Sequence, residues 1–272
     1  MPDAERRYAA DVARRLDAAL DAVASGRYAL ARRRLVAALA RVRRDGGPHH
    51  PLLAVVHNQL GILAKATGDF PASARHYRRA LALLRRHRRI DGLELADLYH
   101  NLGGLAHARG RFAEGEPLAR RAILLRTRRH GPDAIATWLD RTAHAALLDG
   151  LGRWRESARV YRAALPRFRR HFGAGHYEVA VTLNNLGCAL ASLGRPGEAA
   201  RHLRRSLRLK ERRFGEGHVE TAIACHNLAT VLRDAGRTAE ARPLLARALA
   251  TFRRRLGPRH PATRTCRAAL EG

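Results

Sequence analysis

The chain is short of cysteine, lysine, acidic residues and aromatics, and each shortage narrows what it can be. Three cysteines in 272 residues, Cys188, Cys225 and Cys266, are too few and too scattered for a disulfide framework. Buried, reduced thiols are expected instead. Aromatics are 5% of the chain, so Ala and Leu supply most of the apolar surface, and both are strong helix formers. No apolar run nears the length a bilayer requires; LLAVV is typical of the longest. The opening MPDAERRYAADVARRLDAAL has no apolar leader segment, and its Asp and Glu residues argue against a transit peptide. A soluble, cytoplasmic protein with no membrane partner is expected.

Acidic residues number 24 against 52 basic ones, a net charge of +28. Only Lys65 and Lys210 are lysines, so the remaining 50 are arginines. Codon bias of a GC-rich genome would account for part of the arginine but not for the missing Asp and Glu. A field this positive favours acidic partners: nucleic acid, an anionic surface or an acidic protein. With 46% hydrophobic residues the chain has enough apolar side chains to fold despite its charge.

What is present is a repeat. Gly26, Gly68, Gly110, Gly152, Gly194 and Gly236 lie 42 residues apart without an insertion, and all but Gly68 precede arginine. Two further columns are small: Ala31, Ser73, Gly115, Ser157, Ala199, Ala241, and Ala38, Ala80, Ala122, Ala164, Ser206, Ala248. The next is aliphatic: Leu39, Leu81, Ile123, Leu165, Leu207, Leu249. Each unit reads as two helices. In 176–217 the first is predicted from Tyr177 to Ser192, closed by Gly194 as a left-handed C-cap. The second starts at Pro196, placed for a first helical turn, and runs to about Phe214. Small columns let two helix backbones approach closely. The expected fold is all-α, a quasi-one-dimensional solenoid of helix pairs whose ends need polar caps.

The segments LNNLGCALASLGRPGEAARHLRRSL and HNLATVLRDAGRTAEARPLLARAL resemble the tetratricopeptide repeat family, in its 42-residue kinesin-light-chain-like branch. The inter-unit pattern FGEGH and LGPRHP fits as well, with His50, His176, His218 and His260 in one phase. The resemblance covers about residues 8–266 and implies one continuous domain: an N-terminal capping repeat 1–49, five repeats (50–91, 92–133, 134–175, 176–217, 218–259) and a capping helix 260–272. It implies a right-handed superhelix, first helices lining the concave side and second helices the convex side. Departures are visible. The family's aromatic position is aliphatic or Ala here (Ala64, Ala106, Leu148, Leu190, Leu232), the first unit has a weak first helix, and RTAHAALL stands in 134–175 where LNNLGCAL stands in its neighbour.

Three surfaces are candidates for function. In the first, Gln59, Asn101, Asn185 and Asn227 share a phase, broken by Ala143, and the preceding phase holds Asn58, His100, Thr142, Asn184 and His226. The resemblance implies that Asn101, Asn185 and Asn227, flanked by Asn58, Gln59 and Asn184, face a groove and bond the backbone of an extended peptide. An amide offers donor and acceptor, so it can hold a peptide unit without reading side chains; solvated or turn-capping amides are the alternative. The second is a basic ridge of Arg44, Arg86, Arg128, Arg170, Arg212 and Arg254, one at the end of each second helix and thickened by neighbours such as Arg85 and Arg213. Guanidiniums in a ladder suit phosphates or carboxylates, although a cation at a helix C-terminus also complements the macrodipole. The third is the divergent unit, where Trp138, Asp140, Arg141, His144 and Trp154 interrupt the pattern. His144 takes a phase that is Leu in four other units, readable as a specificity pocket or as a neutral histidine hydrogen-bonded inside a tolerant core.

No catalytic constellation, phosphate-binding glycine loop, His-Glu-x-x-His or Cys-x-x-Cys pair is found. Cys225 and His226 are adjacent and would point about 100° apart on a helix. The repeats leave no segment to host an active site, so no catalysis, cofactor, metal or small-molecule substrate is expected. The reading is a binding scaffold that holds an extended or acidic partner segment in the groove and regulates that partner. The alternative is RNA or DNA backbone binding through the ridge, weakened by the lack of aromatics interleaved with the arginines. A self-assembling repeat is a third class.

Overall fold

The computed structural model describes residues 2–24, 27–86 and 92–271. Among them are thirteen helices: α1 (Pro2–Ala24), α2 (Tyr28–Gly46), α3 (Leu52–Ala66), α4 (Phe70–Arg86), α5 (Gly92–Ala108), α6 (Phe112–His130), α7 (Ile135–Gly150), α8 (Trp154–Phe172), α9 (Tyr177–Ser192), α10 (Pro196–Phe214), α11 (Val219–Asp234), α12 (Thr238–Leu256) and α13 (Pro261–Glu271). No strand occurs among the described residues. The fold is an all-α repeat solenoid, and α9 and α10 carry the bounds read from sequence. No described helix is long and apolar enough to cross a membrane.

The chain forms two compact units, residues 1–147 and 148–272. In the first, α1 packs on α2, α3 on α4 and α5 on α6, each pair also touching the next; in the second, α8 packs on α9, α9 on α10, α10 on α11, α11 on α12 and α12 on α13.

Two glycine columns punctuate the units. Within a pair, Gly194 has φ +72°, a conformation that costs other residues steric energy, and the following Arg195 N–H reaches back to the Leu190 carbonyl at 2.9 Å. Gly68, Gly110, Gly152 and Gly236 share that conformation, and Gly26 lies outside the described residues. Between pairs, Gly47, Gly131, Gly173, Gly215 and Gly257 are also left-handed. The phased histidines then start the next helix. Nδ1 of His50, His176, His218 and His260 each accepts the backbone N–H two residues on, at 3.2 Å. At His176 and His218 these are N-caps made by imidazole. Phe172 stacks on His176 and Phe214 on His218, with ring centroids 4.5 and 4.6 Å apart, which fixes those rings.

Both small columns are buried throughout. They matter because the paired helices nearly touch. A Cβ on Gly61 would lie 2.4 Å from the Tyr77 ring, and one on Gly187 would lie 2.6 Å from Leu203 Cγ. Ser73 spends its hydroxyl on the Gly61 carbonyl and Ser206 on that of Ala180, at 2.8 and 2.7 Å, so neither is an unpaired buried polar group. Of the cysteines, Cys225 and Cys266 are buried and Cys188 is partly so; all are free thiols. Burial pushes Cys188 and Cys266 up to about 11, with Asp149 adding to the effect at Cys188 and Cys225 adding to it at Cys266.

Candidate functional site

The polar phases of the first helices form hydrogen-bonded ladders. In the first unit, Asn58 and Gln59 lie on α3 and His100 and Asn101 on α5. Asn101 Nδ2 donates to Asn58 Oδ1 at 3.0 Å. In the second unit, Asn184 and Asn185 lie on α9 and His226 and Asn227 on α11. Asn227 Nδ2 donates to Asn184 Oδ1 at 3.1 Å, and Asn184 Nδ2 to Asn185 Oδ1 at 3.2 Å. Both inter-repeat bonds span 43 positions rather than 42, so each joins one column to the column before it in the preceding unit. This explains why two adjacent phases are polar. It also separates their roles. Asn184, 7% exposed, braces the ladder, while Asn185 and Asn227 are half-buried and present an edge to solvent.

A second polar cluster lies in the same unit: the Tyr161 hydroxyl donates to Asp149 Oδ2 at 2.8 Å, and Ser157 donates to the other oxygen of the same carboxylate. Burial holds the Asp149 carboxyl above the usual range while the two donors oppose that shift. Burial first, and then Asp149, raise Tyr161 well above an ordinary phenol. The sequence reading placed Ser157 among the small packing positions and assigned nothing to Tyr161 or Asp149. The available signal was Asp149 itself, an acid in a column that elsewhere holds Lys65, His107, Ala191 and Arg233.

The two histidines of the set differ. His226 is half-buried, and burial, aided by Arg233, lowers it from its ordinary value. His100 Nδ1 meets Asp140 Oδ1 at 2.8 Å, so this ring is tied to a carboxylate that is itself buried. Asp140 Oδ2 accepts from Arg126 Nε at 2.9 Å, and the same guanidinium reaches Asp97 at 2.8 Å. Arg126 and Asp140 both stand in core columns: Val42, Leu84, Phe168, Phe252 and the buried Lys210, itself paired with Glu220 at 2.7 Å, share the phase of Arg126, and Val56, Leu98, Thr182 and Ala224 that of Asp140. His144 Nε2 meets Glu116 Oε1 at 3.0 Å with little exposure, which fits the internally bonded alternative, and Arg141 lies over the Trp138 ring at 4.6 Å.

The ridge arginines stand in the last turns of their helices: Arg44, Arg86 and Arg128 in the first unit, and Arg170, Arg212 and Arg254 in the second. All six are exposed. Arg44 bonds Asp45 at 3.0 Å; the other five have no carboxylate partner among the described residues.

The tetratricopeptide repeat pattern matches residues 11–86 and 140–212, and a second pattern of the same repeat matches 95–133 and 221–262. The chain belongs to the tetratricopeptide repeat family. Its solved neighbours share that fold at low identity. BtubC (BKLC) from P. vanneervenii is 21% identical with a TM-score of 0.61, over 92% of this chain and 94% of that one. A Podosopora anserina protein with nearly identical kinesin-light-chain TPR-like repeats is 16% identical at a TM-score of 0.59, over 75% and 97%. A Rap protein complexed with Competence and Sporulation Factor is 14% identical at 0.66, over 96% and 86%. Among curated protein sequences, none matches this chain significantly. The 42-residue tetratricopeptide unit and the kinesin-light-chain-like neighbours agree.

Proposed function

We propose that this tetratricopeptide protein is a non-catalytic scaffold that holds an extended, acidic segment of a partner protein along its amide ladders. The observation that carries the reading is the pair of inter-repeat bonds, Asn101 to Asn58 and Asn227 to Asn184. They align half-buried amides at the repeat spacing and hold them ready, which lowers the ordering cost of binding. A neighbour of this fold, the Rap protein, is known in complex with Competence and Sporulation Factor. The surplus of arginine supports the acidic preference, because a positive field raises association rates with negative partners.

The test is selection from a random peptide library followed by affinity measurement at physiological salt. Selected peptides should be acidic. Asn185→Ala with Asn227→Ala should weaken them by about tenfold or more, equal to about 1.4 kcal/mol, while Arg170→Ala with Arg212→Ala should act mainly through association rate. Binding unaffected by the amide changes would sink the reading. Submicromolar RNA or DNA binding at physiological salt, lost when Arg86, Arg128, Arg170 and Arg212 become Glu, would replace it with the nucleic-acid alternative.

A further inference from the structure

The second unit carries a cleft that neither the amide ladder nor the ridge uses. It has a volume of about 600 Å³ and is lined by Arg155, Arg159 and Arg162 of α8, Leu193 at the end of α9 and Arg195 at the start of α10. An adjoining hollow of about 460 Å³ shares Arg155 and Leu193 and includes Trp154 in its wall. Trp154 is 38% exposed, so part of its ring is open to a ligand. The three α8 arginines fall at i, i+4 and i+7, on one helix face. No acidic residue lines the larger cleft. The nearby carboxylates are taken, Glu156 by Arg153 and Glu198 by Arg195. Arg155, Arg159 and Arg162 have no carboxylate partner among the described residues.

The repeat itself shows what the fold demands here. The phase of Arg155 holds Ala29, Pro71, Ala113, Gly197 and Ala239 in the other units. A helical hairpin therefore needs no long side chain at this point. Arg155 also stands in the first turn of α8, where the macrodipole disfavours a cation. The ridge arginines occupy the favourable end of their helices; Arg155 occupies the unfavourable one. A residue that breaks both the repeat pattern and the local electrostatics stands where a functional position is expected.

We infer that this cleft binds a nucleoside polyphosphate, its phosphates against Arg155, Arg159 and Arg162 and its base against Trp154. Guanidinium forks bond phosphate oxygens in pairs, and an indole face accepts any base by stacking. The cleft volume falls in the range of small-ligand sites, about 300–1,000 Å³. A hollow of that volume, with its arginines on one helix face, suits one nucleotide better than a strand.

The experiment titrates the full chain at physiological salt with ATP, GTP, sodium tripolyphosphate and a single-stranded RNA of about eight nucleotides, read by calorimetry and tryptophan fluorescence. Arg155→Ala and Trp154→Thr place residues that the same phases already hold, Ala113 and Thr238, so both variants keep the fold. At least one nucleotide should bind with micromolar affinity. Arg155→Ala should weaken nucleotide and tripolyphosphate alike by about tenfold, whereas Trp154→Thr should weaken the nucleotide alone. The inference is overturned if no nucleotide binds below millimolar concentration, or if Arg155→Ala binds like the parent. It is equally overturned if tripolyphosphate matches the nucleotide and Trp154→Thr changes neither, or if the RNA binds more tightly than the nucleotide. None of these outcomes depends on the peptide reading.

Discussion

The Tyr161 hydroxyl donates to Asp149 Oδ2 at 2.8 Å, so a buried phenol of α8 is tied to a part-buried carboxylate of α7. Tyr161→Phe removes that link without changing shape. Asp149 would lose one of its two donors, and a stability loss of about 1–3 kcal/mol is expected for a buried acceptor left short. Urea denaturation measures it.

Arg126 and Asp140 form an ion pair in columns that are otherwise largely apolar, with Asp140 2% exposed and Arg126 12% exposed. Removing one partner strands the other charge, so Asp140→Leu should cost about 3–5 kcal/mol. Arg126→Leu with Asp140→Leu installs Leu84 and Leu98 from the preceding unit and should recover most of that loss, because well-packed apolar pairs match or exceed buried ion pairs. Denaturation of the two single variants and the double variant gives the coupling directly.

Gly187 admits no side chain where α9 crosses α10, because a Cβ would sit 2.6 Å from Leu203 Cγ. Gly187→Ala should therefore destabilise by about 1–3 kcal/mol through overpacking, despite alanine's better helix propensity. Leu203→Ala, in a fully buried position, should cost about 2–5 kcal/mol alone, and a double variant that loses clearly less than the two single losses added together would confirm the clash as the cause.

His57 and His76 meet at 3.1 Å between Nδ1 atoms, and His57 is buried. Burial first, then His76, Arg43 and Arg79, lower His57 from 6.5 to about 4. Between those values the unfolded chain holds more protons than the folded one, so stability present above pH 6.5 is lost as pH falls towards 4. His76 shifts in the same direction. The melting temperature should drop between pH 7 and pH 5, and His57→Leu, the residue at the matching position Leu183, should shrink that drop.

Much of this architecture was legible before any coordinates. Gly194 and Pro196 mark the α9–α10 turn because left-handed backbone and a first helical turn each favour one residue type. The small columns mark helix contacts because only short side chains fit there. The amide phases were legible as polar, but the 43-residue offset of their bonds was not, since it depends on how one helix lies against the next. Asp149 and Tyr161 are 12 positions apart on different helices and meet only through the hairpin. The charged Arg126 and Asp140 escaped notice as a pair for the same reason. The phase shared by the histidines was legible, but the N-caps that His176 and His218 make were not, since they depend on ring orientation.

The Arg126–Asp140 contact also bears on how such an array can change over time. Units that meet through aliphatic side chains are interchangeable, so duplication or crossover there leaves a workable junction. Moving α6 away from α7 would face a guanidinium with hydrocarbon. The charge pair thus acts as an address that holds two neighbours in sequence, and rearrangement of the array is penalised at that junction more than at an apolar one.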